Sequence, residues 1–367
     1  MEDKWTVIEQ KVNSGERLTR EDGLFLLKCN DLLRIGALAR LVKQRKSGNE
    51  VYFNVNRHIN LTNICVARCN LCAFGCDADA APAYVMEPEK ALDIACQAVK
   101  DTPEMTELHI VSALHPDKPF EYYADIISRI HQEFPELHLK AFTAVEIAHF
   151  AKIAKLSIRE VLTILKEAGL GSMPGGGAEI LNDRVRQILC PNKASAAEWL
   201  EVVRTAHQMG IRSNATMLYG HVETHEERID HLLTLRELQD ETGGFQAFIP
   251  FPFHPDNTGL SEIKRTTAWE DLKMLAVSRL MLDNFDHVKA FWIMLTVPIA
   301  QVSLGFGIDD LDGTVVEEKI LHAAGAKTAV GISKQDIIAF IRETGNVPVE
   351  RDTLYRKVRV YDGSETP

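Results

Sequence analysis

From Val51 onward the chain alternates short apolar stretches of strand period with longer amphipathic stretches of helical period. Strands are predicted from Val51 into Asn56, then at 107–113, 137–142, 170–173, 212–219, 245–250, 287–296 and 307–309. Helices lie between them, among them 88–100 and 119–134. Strands joined by helices pair in parallel, because a parallel crossover needs a connection of that length. Seven or eight such units fit an α/β fold of TIM type, a closed or nearly closed (β/α) barrel, which takes about 250 residues. A doubly wound open sheet is the alternative.

Capping boxes support the helix placements: Ser157 with Glu160, Ser195 with Glu198, Thr224 with Glu227 and Thr267 with Glu270. Thr19 with Asp22 opens a helix in the first fifty residues, and Ser333 with Asp336 opens one near the end. The predicted organisation is an N-terminal helical extension at 1–50, the barrel at 51–313 and a C-terminal helical cap at 314–367. Trp199, Trp269 and Trp292 are expected in the core, and Cys29, Cys96 and Cys190 as buried thiols.

The loops after the predicted strands collect the polar and glycine-rich segments, on the face where barrels carry their chemistry. The first is Cys65-Val-Ala-Arg-Cys69-Asn-Leu-Cys72-Ala-Phe-Gly-Cys76, four cysteines within twelve residues. Four-cysteine zinc sites usually pair two hooks separated by a dozen or more residues, and no second hook follows. A disulfide pair would need an oxidising compartment. Closely spaced thiolates suit an iron–sulfur cluster better.

A formal charge of −11 over 367 residues argues against nucleic acid or an anionic membrane as partner. The most apolar stretch, 290–300, falls short of the roughly 18 residues that span a bilayer. The start, Met1-Glu-Asp-Lys-Trp5, is polar and acidic, unlike a secretory signal, so the expected compartment is a reducing cytoplasm.

The spacing C-x3-C-x2-C after a first strand resembles the radical S-adenosylmethionine superfamily. That resemblance implies that Cys65, Cys69 and Cys72 bind three irons of a 4Fe-4S cluster, with Cys76 a bystander. The fourth iron would chelate S-adenosylmethionine, and a reduced cluster would split it to a 5′-deoxyadenosyl radical. Further segments are similar to the branch that holds aminofutalosine synthases, futalosine-pathway cyclases and deazaflavin-forming enzymes. They are Asn54-Val-Asn56-Arg57-His58-Ile59-Asn60, Tyr84, His109-Ile-Val-Ser112-Ala-Leu-His115-Pro116, Pro174-Gly175-Gly176-Gly177-Ala178-Glu179 and Thr242-Gly-Gly-Phe245. The runs from Ser213 to Thr224, Phe253 to Thr258 and Asp309 to Thr314 look most like the aminofutalosine synthases.

The resemblance implies a transferase of menaquinone biosynthesis by the futalosine pathway. Its radical adds to the enol-ether double bond of 3-[(1-carboxyvinyl)oxy]benzoate. Rearrangement and loss of bicarbonate give 6-amino-6-deoxyfutalosine and methionine. A flavodoxin- or ferredoxin-type electron donor is expected as partner. Tyr84, Ser112, Glu146, Gly175, Gly176, Gly177 and Glu179 are candidates to contact S-adenosylmethionine. Glu146 suits the methionine ammonium or a ribose hydroxyl, and equally a plain helix-start glutamate. A dicarboxylate substrate needs cations or donors, and the candidates are Arg57, His58, His115 and Arg184. His221, Glu223 and His254 are the candidate catalytic groups, because they lie at strand ends where proton transfer can be shared.

Overall fold

The computed structural model describes residues 2–315, 319–325, 328 and 331–363. Three helices come first: α1 (Glu2–Ser14), α2 (Arg20–Lys28) and α3 (Leu32–Ser47). Thr19 closes a capping box with Asp22, as its spacing predicts. Two short strands follow, β1 (Glu50–Asn54) and β2 (Asn56–Asn60), then α4 (Pro88–Asp101) and β3 (Glu107–Val111). The series continues with α5 (Phe120–Glu133), β4 (His138–Ala141), α6 (Ala144–Ala154), α7 (Ile158–Ala168) and β5 (Leu170–Met173). After them come α8 (Asp183–Leu189), α9 (Ala196–Gln208), β6 (Arg212–Tyr219), α10 (His225–Thr242), β7 (Phe245–Pro252), α11 (Ala268–Met281) and β8 (His287–Val288). The last elements are α12 (Trp292–Leu295), α13 (Val297–Ser303), β9 (Asp310–Gly313), α14 (Ile320–Ala323), α15 (Lys334–Glu343), β10 (Val347–Arg351) and β11 (Lys357–Val360).

β2 to β8 form one parallel seven-stranded sheet in chain order, curled into an incomplete barrel with helices outside. The open-sheet alternative is excluded by that order, which never reverses. The first predicted strand is two strands in two sheets. β1 pairs with β9 and β10, whereas β2 pairs with β3. The Val51, Phe53, Val55 alternation reads as one strand, yet Val51 to Val55 are all buried, so no solvent face marks the change of sheet. The small sheet has the order β11-β10-β1-β9. Its β9 stands beside the barrel's open edge, where Lys289 bridges Asp310 on one side and Tyr52 pairs with Asp310 on the other.

Further expectations need correction. The predicted strand 287–296 joins the barrel sheet only at His287–Val288 and, past the Lys289 bridge, turns into α12, because Trp292 to Leu295 are buried on every side and need no alternation. The predicted strand at 307–309 forms slightly later, as β9, and outside the barrel sheet. The C-terminal region is not a purely helical cap: β10 lies parallel to β1 in the small sheet. Trp199 and Trp292 are core residues, but Trp269 is 51 % exposed near the start of α11. Cys190 is buried, Cys29 half-buried and Cys96 exposed.

The barrel interior is polar at the depth of the early strands. Lys140 pairs with Glu107 at 2.6 Å, Lys289 with Asp312 at 3.0 Å and Arg351 with Asp310 at 2.7 Å, all well buried. Tyr355 stacks on His287 with centroids 3.7 Å apart and lies 4.2 Å below the Arg351 guanidinium. The end of β10 and the turn after it therefore supply two large side chains, Arg351 and Tyr355, to this network. No helix among the described residues is long and apolar enough to cross a membrane.

Candidate active site

The cysteine loop leaves the end of β2 and is zipped at its base. Cys65 N–H donates to Cys76 O at 3.1 Å, and Cys76 N–H donates to Asn63 O at 2.8 Å. Thr62 Oγ1 donates to Tyr84 O at 2.6 Å, and Tyr84 Oη donates to Asn60 O at 3.1 Å. The tip is held from two further elements. Asn70, between the second and third cysteines, donates through its backbone to Leu189 O at 2.8 Å, and Gly259 N–H donates to Asn70 O at 2.9 Å. Gly75 faces two of the sulfurs: a Cβ there would lie 3.8 Å from Cys65 Sγ and 4.0 Å from Cys72 Sγ. Its own N–H points at Cys72 Sγ across 3.4 Å, the kind of donor that tunes an iron–sulfur ligand.

All four loop thiols are free and half-buried. Among the described residues no three His, Cys, Asp or Glu side chains already converge to hold a metal ion. The donor chemistry nonetheless fits a cluster: soft thiolates, an N–H aimed at a sulfur, and a loop fixed at base and tip. Burial pushes the Cys69 thiol up to about 12, against the opposing pull of Lys193. Cys76 takes part through its backbone, which pins the loop base. Its thiol, too, is raised by burial.

Lys193 is a site residue that sequence reasoning missed. Its Nζ sits 2.6 Å from Glu179 Oε1. Burial opposes its charge, but Glu179, Cys69 and Cys190 together hold its proton well above the lysine range. Glu179 answers in kind: burial would raise it, and Lys193 holds it below the usual carboxylate range. The available signal was a lysine directly ahead of the Ser195 cap, in the loop that returns toward the cysteines.

The S-adenosylmethionine candidates fall on neighbouring strand ends. Glu146 opens α6 and accepts from Thr143 N–H at 2.7 Å, Thr143 Oγ1 at 2.8 Å and Ser112 N–H at 2.6 Å. It thus ties the loop after β3 to the loop after β4. Burial raises its carboxyl to about 7 even against those donors. Gly175 has no Cβ because one would stand 2.7 Å from Asn214 O of β6, and Thr216 Oγ1 donates to its carbonyl at 2.8 Å. Gly177 holds φ 87°, a left-handed turn in which a side chain would meet Val145. Trp199 Nε1 donates to Gly176 O at 3.3 Å. These glycines first of all permit close packing of protein on protein.

The other candidates are scattered. The pleat of β2 puts Arg57 and His58 on opposite faces. Arg57 lies 3.6 Å from Asp101 at the end of α4, in the outer layer, so it does not face the barrel interior. His58 stacks on His109 of β3 with centroids 4.4 Å apart. Arg184 is half exposed, forks onto Glu227 at the start of α10 and donates to Val222 O of the loop after β6 at 3.0 Å. His115 turns its Nδ1 onto the N–H groups of Asp117 and Lys118 at 3.0 and 3.1 Å, which fixes its own loop.

His221 and Glu223 do meet, at 2.7 Å, but both side chains have zero exposure. Glu223 also accepts from Gly220 N–H at 2.6 Å, His221 N–H at 2.9 Å and Arg228 Nε at 2.7 Å. Burial would raise its carboxyl, yet His221 and Arg228 bring it down to about 2. A saturated, sealed carboxylate shapes the loop after β6 and presents no face to a reacting group. His254 differs. It is 8 % exposed, its Nε2 lies 2.9 Å from Met294 O, and it lines a cavity.

Comparison with known proteins fits this geometry. The radical SAM superfamily profile matches residues 59–235, and the CofH/MqnC C-terminal region profile matches 242–362. The barrel resembles methylornithine synthase (TM-score 0.73, 17 % identity, 93 % of this chain and 97 % of that one). It also resembles the hydrogenase maturase HydG of Carboxydothermus hydrogenoformans (TM-score 0.74, 17 % identity, 97 % and 81 %). The chain belongs to the radical SAM superfamily, whose enzymes use a 4Fe-4S cluster and S-adenosylmethionine. Within it, the chain is 48 % identical to the aminodeoxyfutalosine synthase of Thermus thermophilus, over 98 % of this chain and 97 % of the relative. Identity to the aminodeoxyfutalosine synthase of Streptomyces coelicolor is 46 %, over 98 % and 95 %. A 5-amino-6-(D-ribitylamino)uracil–L-tyrosine 4-hydroxyphenyl transferase of Methanothermobacter thermautotrophicus is 41 % identical over 94 % and 95 %.

Proposed function

We propose that this enzyme transfers the 5′-deoxyadenosyl group of S-adenosylmethionine to the enol-ether carbon of 3-[(1-carboxyvinyl)oxy]benzoate. Rearrangement and loss of bicarbonate then give 6-amino-6-deoxyfutalosine and methionine, a step toward menaquinone. The observation that carries this reading is the 48 % and 46 % identity to two aminodeoxyfutalosine synthases over nearly the whole chain. The 41 % identity to the tyrosine transferase makes that activity the rival.

The cluster, when bound, supplies one-electron cleavage of the sulfonium, which is the cofactor's chemistry and not the protein's. Cys65, Cys69 and Cys72 would hold the cluster. Cys76 fixes the loop base with its backbone. Ser112, Glu146, the Gly175–Gly177 turn and Glu179 with Lys193 build the wall beside the cysteines, against which S-adenosylmethionine lies. Tyr84 braces the end of β2 beneath it. His254 faces the acceptor, while His221 and Glu223 position the loop between them. Close confinement of the two reactants supplies the orientation that the addition needs. A flavodoxin- or ferredoxin-type protein delivers the electron.

Anaerobic incubation of the reconstituted enzyme with S-adenosylmethionine and dithionite tests the acceptor. Consumption of the enol ether, and none of L-tyrosine with 5-amino-6-(D-ribitylamino)uracil, is the expected result. The reverse preference would overturn the proposal.

A further inference from the structure

The loop after β7 and the α12–α13 corner after β8 border a half-open cavity of about 420 Å³. Hydrocarbon dominates its walls, with Trp292, Met294, Val297, Pro298 and Ile332 on several sides. Two ionisable side chains reach it, His254 and Arg265. Thr296, also on the wall, holds φ 77° and ψ 150°, a region that a β-branched residue occupies only when its surroundings force it.

The polar groups have unused capacity. Arg265 spends Nη2 on Asp256 Oδ2 at 2.7 Å and on Gly325 O at 2.9 Å. Its Nε and Nη1 make no hydrogen bond among the described residues. The contact of His254 Nε2 with a carbonyl places the ring proton there, which leaves a lone pair on Nδ1. That buried Nδ1 has no partner among the described residues. The charged groups acting on the ring are Arg265 and Asp256; burial and Arg265 disfavour its protonation, and Asp256 favours it.

Such a cavity matches one end of the acceptor. An aromatic ring suits the hydrocarbon walls, and the spare Nε–H and Nη1–H of Arg265, which lie on different edges of the guanidinium, can each donate a single hydrogen bond to a carboxylate on that ring. An anion between Arg265 and His254 would also reverse the balance on the imidazole and turn Nδ1 into a donor. The same loop donates Gly259 N–H to Asn70 O within the cysteine run, so this wall and the cluster loop are hydrogen-bonded together.

We infer that this cavity is the subsite for the aryl-carboxylate end of the acceptor, with Arg265 as the carboxylate's ion partner and His254 as a group that gains a proton when it binds. The inference rests on the aryl enol-ether reading above.

Calorimetric titration of the reconstituted full-length enzyme tests it with two probes. One is 3-[(1-carboxyvinyl)oxy]benzoate, and the other is 2-phenoxyacrylate, which lacks only the ring carboxylate. Wild type should bind the second probe about 10- to 100-fold more weakly, as expected for one charged hydrogen-bonded contact. Arg265→Gln should bind the two within about threefold of each other, the margin expected once the charged contact is gone. Should that variant not fold, Arg265→Lys should show a reduced but nonzero preference. Titration of wild type in two buffers of different ionisation enthalpy should show proton uptake that His254→Gln lacks. Equal weakening of both probes by Arg265→Gln, or wild-type binding without proton uptake, would overturn the inference and leave the enol-ether reading standing. Failure of wild type to bind either probe would overturn both.

Discussion

Glu146 is pulled in two directions, since burial favours its neutral form and three donors favour the carboxylate. Burial prevails, and the carboxyl titrates at about 7 in the fold, above its ordinary 4.5. A group raised in this way adds stability that is fully present below the unfolded value and is lost as pH rises through the folded one. Stability should therefore fall between about pH 4.5 and 7, by roughly 2–4 kcal/mol from this residue alone. Urea melts across that range check it: Glu146→Gln should flatten the decline, and an unchanged slope would contradict the assignment. The cysteines give a second test at this scale. Cys65→Ala, Cys69→Ala and Cys72→Ala should each lose bound iron and turnover, while Cys76→Ala keeps both. Iron analysis beside the activity assay decides it, and loss of iron in the Cys76 variant would make that residue a ligand. The cysteine spacing was legible because all its chemistry lies within twelve residues. Lys193 was not, because its meaning comes from Glu179 and Cys69, which only the fold brings to it.

Among the elements, those defined by local rules read well from the sequence. The boxes at Ser157, Ser195 and Thr224 close as their spacing predicts, and β6 runs from Arg212 to Tyr219 as expected. Elements defined by their neighbours read less well. β1 and β2 are contiguous in pattern and differ only in partner, and Arg57 faces outward because of a pleat set by the register of β2 on β3. Cys96 did carry a signal, since Ala91, Ala95 and Ala98 mark the buried face of α4 and Cys96 falls off it. The Gly175 turn shows how elements constrain each other. Gly175→Ala would drive a Cβ to 2.7 Å from the carbonyl oxygen of Asn214 in β6, where backbone rather than a flexible side chain must yield. The expected cost is about 1–3 kcal/mol in thermal or urea melts, and a variant as stable as wild type would show that β5 and β6 can separate freely.

For the whole molecule, the barrel interior depends on residues far apart in the chain. Lys140 to Met leaves Glu107, 1 % exposed, without its cation. A loss of about 3–5 kcal/mol is expected, the usual consequence of stranding a buried charge, and a shift under 1 kcal/mol in urea melts would contradict the network as drawn. The fold class was legible because strand–helix alternation is repeated seven times, and one misread strand does not change it. The role of the C-terminal region was not, because Arg351 and Tyr355 acquire meaning only from Asp310 and His287 across the barrel. The central claim is that the adenosyl group ends up in the product. Mass spectrometry after turnover with S-adenosylmethionine carrying ¹³C in its ribose tests this most directly. The label is expected in an adenosyl–aryl adduct that has lost one carboxyl group, with one methionine formed per adduct. Label recovered only as free 5′-deoxyadenosine, with the enol ether unchanged or merely stripped of hydrogen, would contradict it.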